Sequence, residues 1–161
     1  MSHPDRVNLR QVISSATNHV FATMLGMKVR DALFPSAASP DEERVVASVG
    51  FAGHGIAGGL TIKVTTEFAA AITAAMLGSG PKETQNPADV NDVMSELANV
   101  LGGNCLAALG NLGYPCALSL PTVTSGMGLQ INTIRGAKHE CLAFEQGSNQ
   151  FFISLDLKIR Q

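Results

Sequence analysis

The strict alternation of apolar and polar residues at the end of the sequence is the feature that most constrains the fold. The apolar members are Ile153, Leu155, Leu157 and Ile159, and the polar members are Ser154, Asp156, Lys158 and Arg160. Successive side chains of a β-strand point to opposite faces, so this segment predicts a strand in a sheet with one covered face. Such a sheet needs helices over its apolar face, which is the arrangement of an α+β domain.

Two long segments with helical periodicity can supply that covering layer. Residues 9–24 carry apolar side chains at three- and four-residue spacing, and we expect the helix to stop at Gly26. The second segment begins at Asn86-Pro87, where Asn is a good N-cap and Pro suits the first helical position. We expect this second helix to run to about Leu109, with Gly110-Asn111 as its C-terminal signal.

Segments rich in β-branched and apolar residues predict the strands. We expect a weak strand over 27–34, a hairpin of 44–52 and 56–65, a strand over 116–124, and a final pair of 140–144 and 152–160. A short alanine-rich helix from Thr66 to Gly78 follows the first hairpin, and loops are expected from Pro35 to Glu42 and from Gly80-Pro81.

The two halves of the chain resemble each other. Laying Asn18 on Asn99 also brings Val12 onto Val93, Ile13 onto Met94, Val20 onto Leu101 and Pro40 onto Pro121. Each half contains a long helix, a strand, a loop and a hairpin. The sequence therefore predicts an α+β fold of two related α-β-β-β units that share a mostly antiparallel sheet, with the long helices packed on one face.

Length and charge narrow the classes of function. The 161 residues predict a single domain over 1–161, and 11 Lys+Arg against 13 Asp+Glu lack the basic excess of a nucleic-acid or membrane-surface binder. No apolar run approaches the roughly 20 residues that span a bilayer, and the polar N-terminus predicts no signal peptide. Three cysteines without CxxC spacing are expected to be buried thiols in a reducing cytoplasm.

Several familiar motifs do not predict a site. Residues 53–58 match GxGxxG, but a strand sequence follows where a dinucleotide site needs a helix, so a glycine-rich hairpin is favoured. No two of His3, His19, His54 and His139 have metal-ligand spacing, and neither a P-loop nor GxSxG occurs. We therefore expect neither a metal nor a cofactor of the chain's own.

The second long helix carries the candidate functional face. At about 100° per residue, Asp92, Glu96, Asn99 and Gly103 form one stripe opposite the apolar positions. A solvated helix face is the simpler interpretation, but Asn and Gly are poor helix formers, and no Lys or Arg follows Glu96 in the helix. An uncluttered stripe suits close approach by another macromolecule. Asn104 lies toward the core, and we expect it to satisfy backbone groups.

These residues resemble the signature of the CheC/CheX/FliY chemotaxis phosphatases, which is Asp or Ser, then Glu, then Asn, with a proline further along the chain. This sequence has Asp92-Val-Met-Ser-Glu96-Leu-Ala-Asn99, followed by Ser119-Leu-Pro121. Upstream stretches within 51–78 also resemble the family, so the likeness covers nearly the whole chain. The first-helix counterpart, Ser15-Ala-Thr-Asn18, has Ser in place of Glu, which resembles the single-site CheX-like branch.

The resemblance implies hydrolysis of the aspartyl phosphate of a CheY-like receiver domain. Asn99 would position the attacking water, because a carboxamide cannot act as a base but can orient water in line with phosphorus. Glu96 would pair with the active-site lysine of the receiver, with Asp92 and Gly103 as candidate partner contacts. The divalent metal, Mg²⁺, would belong to the receiver.

The resemblance also implies a homodimer, and the sequence gives a separate reason for one. Residues 116–134 carry no charge, and only Pro121 would disrupt an exposed strand edge there. A two-fold dimer that joins sheets through this region would cover the edge and leave Glu96 and Asn99 facing solvent.

Two other hypotheses stay open at this point. The chain could be a non-catalytic module of the same fold that binds a receiver or a flagellar-switch partner, because the first helix lacks its Glu. It could instead be a small-molecule-binding domain that uses its glycine hairpins as ligand loops. Release of phosphate from a phosphorylated receiver would separate all three.

Overall fold

A computed structural model describes residues 7–33, 42–80, 85–129 and 134–159. The helices are α1 (Leu9–Leu25), α2 (Thr66–Leu77) and α3 (Pro87–Asn111). The strands are β1 (Arg30–Ala32), β2 (Arg44–Gly53), β3 (Ile56–Thr65), β4 (Cys116–Leu118), β5 (Thr122–Gly126), β6 (Lys138–Gln146) and β7 (Asn149–Ile159).

All seven strands form one sheet in the order β1-β6-β7-β3-β2-β4, and β5 also pairs with β2. These pairings are antiparallel. The hairpins β2-β3 and β6-β7 meet at the centre, where Ile56 lies opposite Ile159 and Lys63 opposite Phe152. Each half gives its first strand to the hairpin of the other half. The prediction of two related α-β-β-β units in one sheet is confirmed. The match of Pro40 with Pro121 cannot be compared, because Pro40 lies outside the described residues.

The start of α3 follows the predicted capping by Asn86, and α1 begins in the same way at Asn8, which was not predicted. The side chain of Asn8 accepts the N–H of Gln11 at 3.1 Å, and that of Asn86 accepts the N–H of Ala88 at 2.9 Å. Gly26 ends α1 with a φ of 64°, a conformation that glycine adopts without strain. Helix α3 runs to Asn111, two residues past the expected end at Leu109, because the chain adopts positive φ at Gly113 and not at Gly110.

Four phenylalanines fasten the helical layer to the sheet. The ring centroid of Phe151 on β7 lies 4.9 Å from that of Phe21 on α1, 5.3 Å from that of Phe68 on α2 and 5.5 Å from that of Phe144 on β6. All four side chains are fully buried. Such pairs contribute about 0.5–1.5 kcal/mol each beyond the area that they bury. They hold α1 and α2 against one face of the sheet.

The strand expected over 116–124 is interrupted, which corrects that prediction. Leu118 lies opposite Phe51 and Thr122 opposite Ser48, so three residues on this side face two on β2. This extra residue makes a β-bulge that separates β4 from β5. Pro121 favours the break because proline has no N–H to give to the strand ladder.

Other strand boundaries shift as well. The weak strand expected over 27–34 is reduced to the three residues of β1. Residue 34, the last of the predicted range, lies outside the described residues. The final hairpin is longer than predicted, with strands that extend to Lys138 and Asn149 around a turn at Gly147-Ser148. The first hairpin matches its prediction closely.

The face of the sheet opposite the helices is more covered than the alternation of β7 predicts. Ser154 and Asp156 are buried on that face. Asp156 accepts the backbone N–H of Ile134 at 3.3 Å and is paired with His139. Lys63 donates to the carbonyl of Leu129 at 3.0 Å. The chain on either side of 130–133 therefore lies across this face.

Candidate functional site

The predicted stripe on α3 faces away from the core. Asp92, Glu96 and Asn99 are exposed, whereas Leu97 and Leu101 are fully buried. The helical phase deduced from the sequence is thus correct. Because Glu96 and Asn99 lie one turn apart on the same face, they can reach the same bound group.

An open groove lies between α3 and the bulge that separates β4 from β5. The α3 wall consists of Asp92, Ser95, Glu96 and Asn99, and the bulge wall consists of Leu118, Ser119, Leu120 and Pro121. The fold therefore brings Pro121 to the same groove as Glu96 and Asn99. Gly103, also on the predicted stripe, is not part of the groove lining.

Gly102 sets how closely α3 approaches the sheet at this groove. A Cβ atom at this position would lie 2.7 Å from Cγ1 of Val49 and 3.1 Å from Cδ2 of Leu118. The side chain of Val49 has little freedom to move, so only glycine fits. Gly103 was predicted to lie on the exposed stripe, but the requirement for Gly102 was not predicted, although two adjacent glycines inside a helix are a visible signal.

Ser119 fixes the bulge wall in place. Its hydroxyl oxygen accepts the N–H of Gly50 at 2.9 Å, and its own N–H donates to the carbonyl of Gly50 at 2.8 Å. These two bonds maintain the connection to β2 where the regular ladder is interrupted. The next residue, Leu120, is 88% exposed. From the sequence, Ser119 and Leu120 were only neighbours of Pro121, and no role was predicted for either.

The α3 wall of the groove is acidic, and its two candidate functional side chains, Glu96 and Asn99, are unengaged. Its lining includes two carboxylates, Asp92 and Glu96, and no cationic side chain. Within the described parts of the chain, the side chains of Glu96 and Asn99 form no hydrogen bond or ion pair. The carboxamide of Asn99 can therefore donate and accept at once, and Glu96 can pair with a cation from outside.

The corresponding positions on α1 do not form a second site of this kind. Asn18 donates to the carbonyl of Ser14 at 2.8 Å, so its carboxamide is already engaged. Ser15 lines a hollow between α1 and α3, and Asn18 lines a different one. The hollow at Ser15 has no carboxylate in its lining.

Other residues considered in the sequence have structural explanations. Asn104 donates to the carbonyl of Val100 at 3.0 Å, as expected. Residues 53–58 belong to the β2-β3 hairpin, as predicted, with a turn at His54-Gly55 in place of a helix N-terminus. Among the described residues, no group of three or more His, Cys, Asp or Glu side chains could hold a metal ion.

The three cysteines are free thiols. Burial raises the pKa of Cys105 to about 12, so this thiol stays protonated at neutral pH and is a poor nucleophile. Desolvation also raises the pKa of Cys116. The expectation that all three are buried is wrong, because Cys116 and Cys141 are only half-buried.

No helix within the described residues combines the length and the apolar character needed to cross a membrane.

The family model for the chemotaxis phosphatase CheX matches residues 45–145. This range covers more than half of the chain and includes both walls of the groove. The chain therefore belongs to the CheX chemotaxis phosphatase family. Among curated proteins, no sequence matches it.

Solved structures share the fold over nearly the whole chain. The chemotaxis protein CheX from Vibrio vulnificus is 22% identical, with a TM-score of 0.80, and the match covers 95% of this chain and 98% of that one. CheX from Desulfovibrio desulfuricans is 24% identical, with a TM-score of 0.78 over 94% and 100%. The CheX-CheY-BeF₃-Mg²⁺ complex from Borrelia burgdorferi matches at 16% identity, with a TM-score of 0.70 over 95% and 99%.

The two adjacent glycines of α3 give a matched test of this packing. Gly102→Ala should destabilise the protein, because overpacking costs about 1–3 kcal/mol and exceeds the gain in helix propensity. Gly103→Ala should stabilise it by about 0.5–1 kcal/mol, because a Cβ there meets nothing within 4 Å. Urea unfolding measures both free energies, and shifts of the same sign would contradict the close approach at Gly102.

Proposed function

We propose that this protein is a phosphatase that hydrolyses the aspartyl phosphate of a CheY-like receiver domain. The observation that carries the proposal is the pair Glu96 and Asn99, exposed and unengaged in a groove of a chain that belongs to the CheX family. The complex of a CheX with CheY and Mg²⁺ among proteins of the same fold supports the choice of partner.

In the proposed reaction, Asn99 orients the attacking water. The water oxygen attacks phosphorus and the bond from phosphorus to the aspartyl oxygen breaks, which regenerates the aspartate and releases inorganic phosphate. Phosphoryl transfer passes through a loose transition state, so alignment matters more than a strong base. A carboxamide suits this role, since it accepts from the water and donates to an oxygen at the same time.

Glu96 docks the receiver in the proposed complex. Its carboxylate pairs with the active-site lysine of the receiver, and Asp92, one turn earlier on the helix, adds negative charge at the same wall. Gly103 gives the partner room, because the position where its Cβ would stand is open. We assign Mg²⁺ and the phosphate-binding groups to the receiver, with no cofactor held by this chain.

We further propose that residues 1–161 form one such phosphatase domain and act in the cytoplasm as a homodimer. The unpaired cysteines favour a reducing compartment. The dimer would join two sheets at the β4-β5 edge, because both strands pair with β2 on one side and, within the described residues, have no partner on the other.

The first experiment removes the carboxamide of Asn99. Asn99→Ala should lower the rate of dephosphorylation of a phosphorylated CheY-like receiver by roughly 10²-fold or more, because a positioned group in the transition state is lost. Affinity for the BeF₃-activated receiver should survive. Asn91→Ala is the control, since Asn91 is an exposed asparagine of the same helix outside the groove.

Near-full activity of Asn99→Ala would overturn the mechanism. Tight binding of the activated receiver by a wild-type protein that releases no phosphate would instead favour the alternative hypothesis, a non-catalytic binding module for a receiver or a flagellar-switch partner.

The second experiment tests the charge pair. Glu96→Gln should weaken binding of the activated receiver, and added salt should weaken wild-type binding more than mutant binding, because the mutant has lost a salt-screened attraction. Glu67→Gln, a change at an exposed glutamate of α2, should leave the dissociation constant and its salt dependence unchanged. Equal salt slopes for Glu96→Gln and wild type would exclude the pairing.

The third experiment measures assembly. Light scattering at micromolar concentration should give about twice 16.8 kDa. Thr124→Lys, which places a charge on the exposed edge strand β5, should shift the protein toward the monomer, because edge charges oppose strand pairing. A monomeric wild type would contradict the edge-pairing argument without touching the phosphatase proposal.

A further inference from the structure

Leu120 is an apolar side chain displayed to solvent beside the reactive groups. It is 88% exposed, and it lines the same groove as Glu96 and Asn99. An exposed leucine alone is unremarkable on a protein surface. The unusual feature is that Leu120 lies opposite the α3 wall. Any partner that reaches Asn99 would therefore bury the Leu120 side chain.

The backbone around Leu120 is fixed on both sides. Ser119 makes two hydrogen bonds to Gly50 on β2, and Pro121 has a restricted φ. The bulge therefore fixes the direction of the Cα–Cβ bond of Leu120 before any partner arrives. Because this backbone is already ordered, binding loses little backbone conformational entropy at Leu120.

We propose that Leu120 is the apolar docking residue of the receiver site and contributes to which receivers the groove accepts. The inference rests on the proposed function. The groove then requires a partner surface with a cationic group for Glu96 and an apolar patch beside it for Leu120, with the phosphorylated aspartate between them. A receiver that carries a charged residue at the patch is rejected, because that charge would be desolvated against leucine without a partner.

Ser119 is a positioning residue in this arrangement. It acts through Leu120, because its hydroxyl is hydrogen-bonded to the N–H of Gly50 and so holds the bulge in place. Ser119→Ala removes that bond while the backbone bond from the Ser119 N–H to the Gly50 carbonyl persists. It should therefore weaken docking less than loss of Leu120 does, and Ser119→Thr should restore it.

The test is steady-state kinetics with a CheY-like receiver phosphorylated by acetyl phosphate. Leu120→Ala should raise KM roughly tenfold, which corresponds to loss of part of the transfer free energy of a leucine side chain, and should leave kcat within twofold. Ser119→Ala should raise KM by a smaller factor. The control is Leu33→Ala, because Leu33 is 91% exposed and follows β1 at the opposite edge of the sheet.

Three outcomes decide the inference. An unchanged KM for Leu120→Ala, or an equal rise for Leu33→Ala, overturns it. Conversion of Leu120→Ala to a monomer in light scattering also overturns it, because the leucine then belongs to the contact between two copies. A wild type without phosphatase activity refutes the proposed function instead, and titration with BeF₃-activated receiver then decides the role of Leu120, since an unchanged dissociation constant rejects it.

Discussion

The close approach of α3 to the sheet at Gly102 is the contact on which the candidate site depends. With no side chain at this position, the helix lies directly on Val49 of β2 and Leu118 of β4. The exposed side of the same turn then faces the bulge at Ser119 across a groove. A larger residue would move the two walls apart, and the spacing between Asn99 and Leu120 would change with them. Packing inside the molecule thus sets the geometry that a partner meets outside it.

Stability and the proposed chemistry use different sides of α3. The inward side contributes Met94, Leu97 and Leu101 to the core, while Glu96 and Asn99 are exposed and form no hydrogen bond or ion pair within the described residues. The helix can therefore keep an asparagine and a glycine on its outer side, although both lower its intrinsic helix propensity. The phenylalanine cluster holds the other two helices, α1 and α2, against the sheet, because its four members lie on α1, α2, β6 and β7.

Local signals made most of the fold and half of the site predictable. Capping by Asn86, the period of α3 and the alternation of β7 are all encoded within a few neighbouring residues. The bulge was not predictable in this way, because it arises from the register between Ser119 and Gly50, which are 69 residues apart. The requirement for Gly102 likewise depends on Val49, a residue of a distant strand. Residues of the α3 wall and Pro121 of the bulge wall were therefore identified from the sequence, whereas the roles of Ser119 and Leu120 were not.

The exchange of first strands between the two halves makes them inseparable. Strand β1 completes the hairpin of the second half, and β4 and β5 complete the hairpin of the first. Neither half could be excised as an independent folding unit, since each would lose a strand and expose an unpaired edge. The half whose helix lacks the acidic residue is thus retained as a scaffold: deleting it would remove Phe21 from the core and β1 from the sheet. Because these pairings join distant parts of the chain, folding should be cooperative and slow compared with that of a helical bundle of equal length.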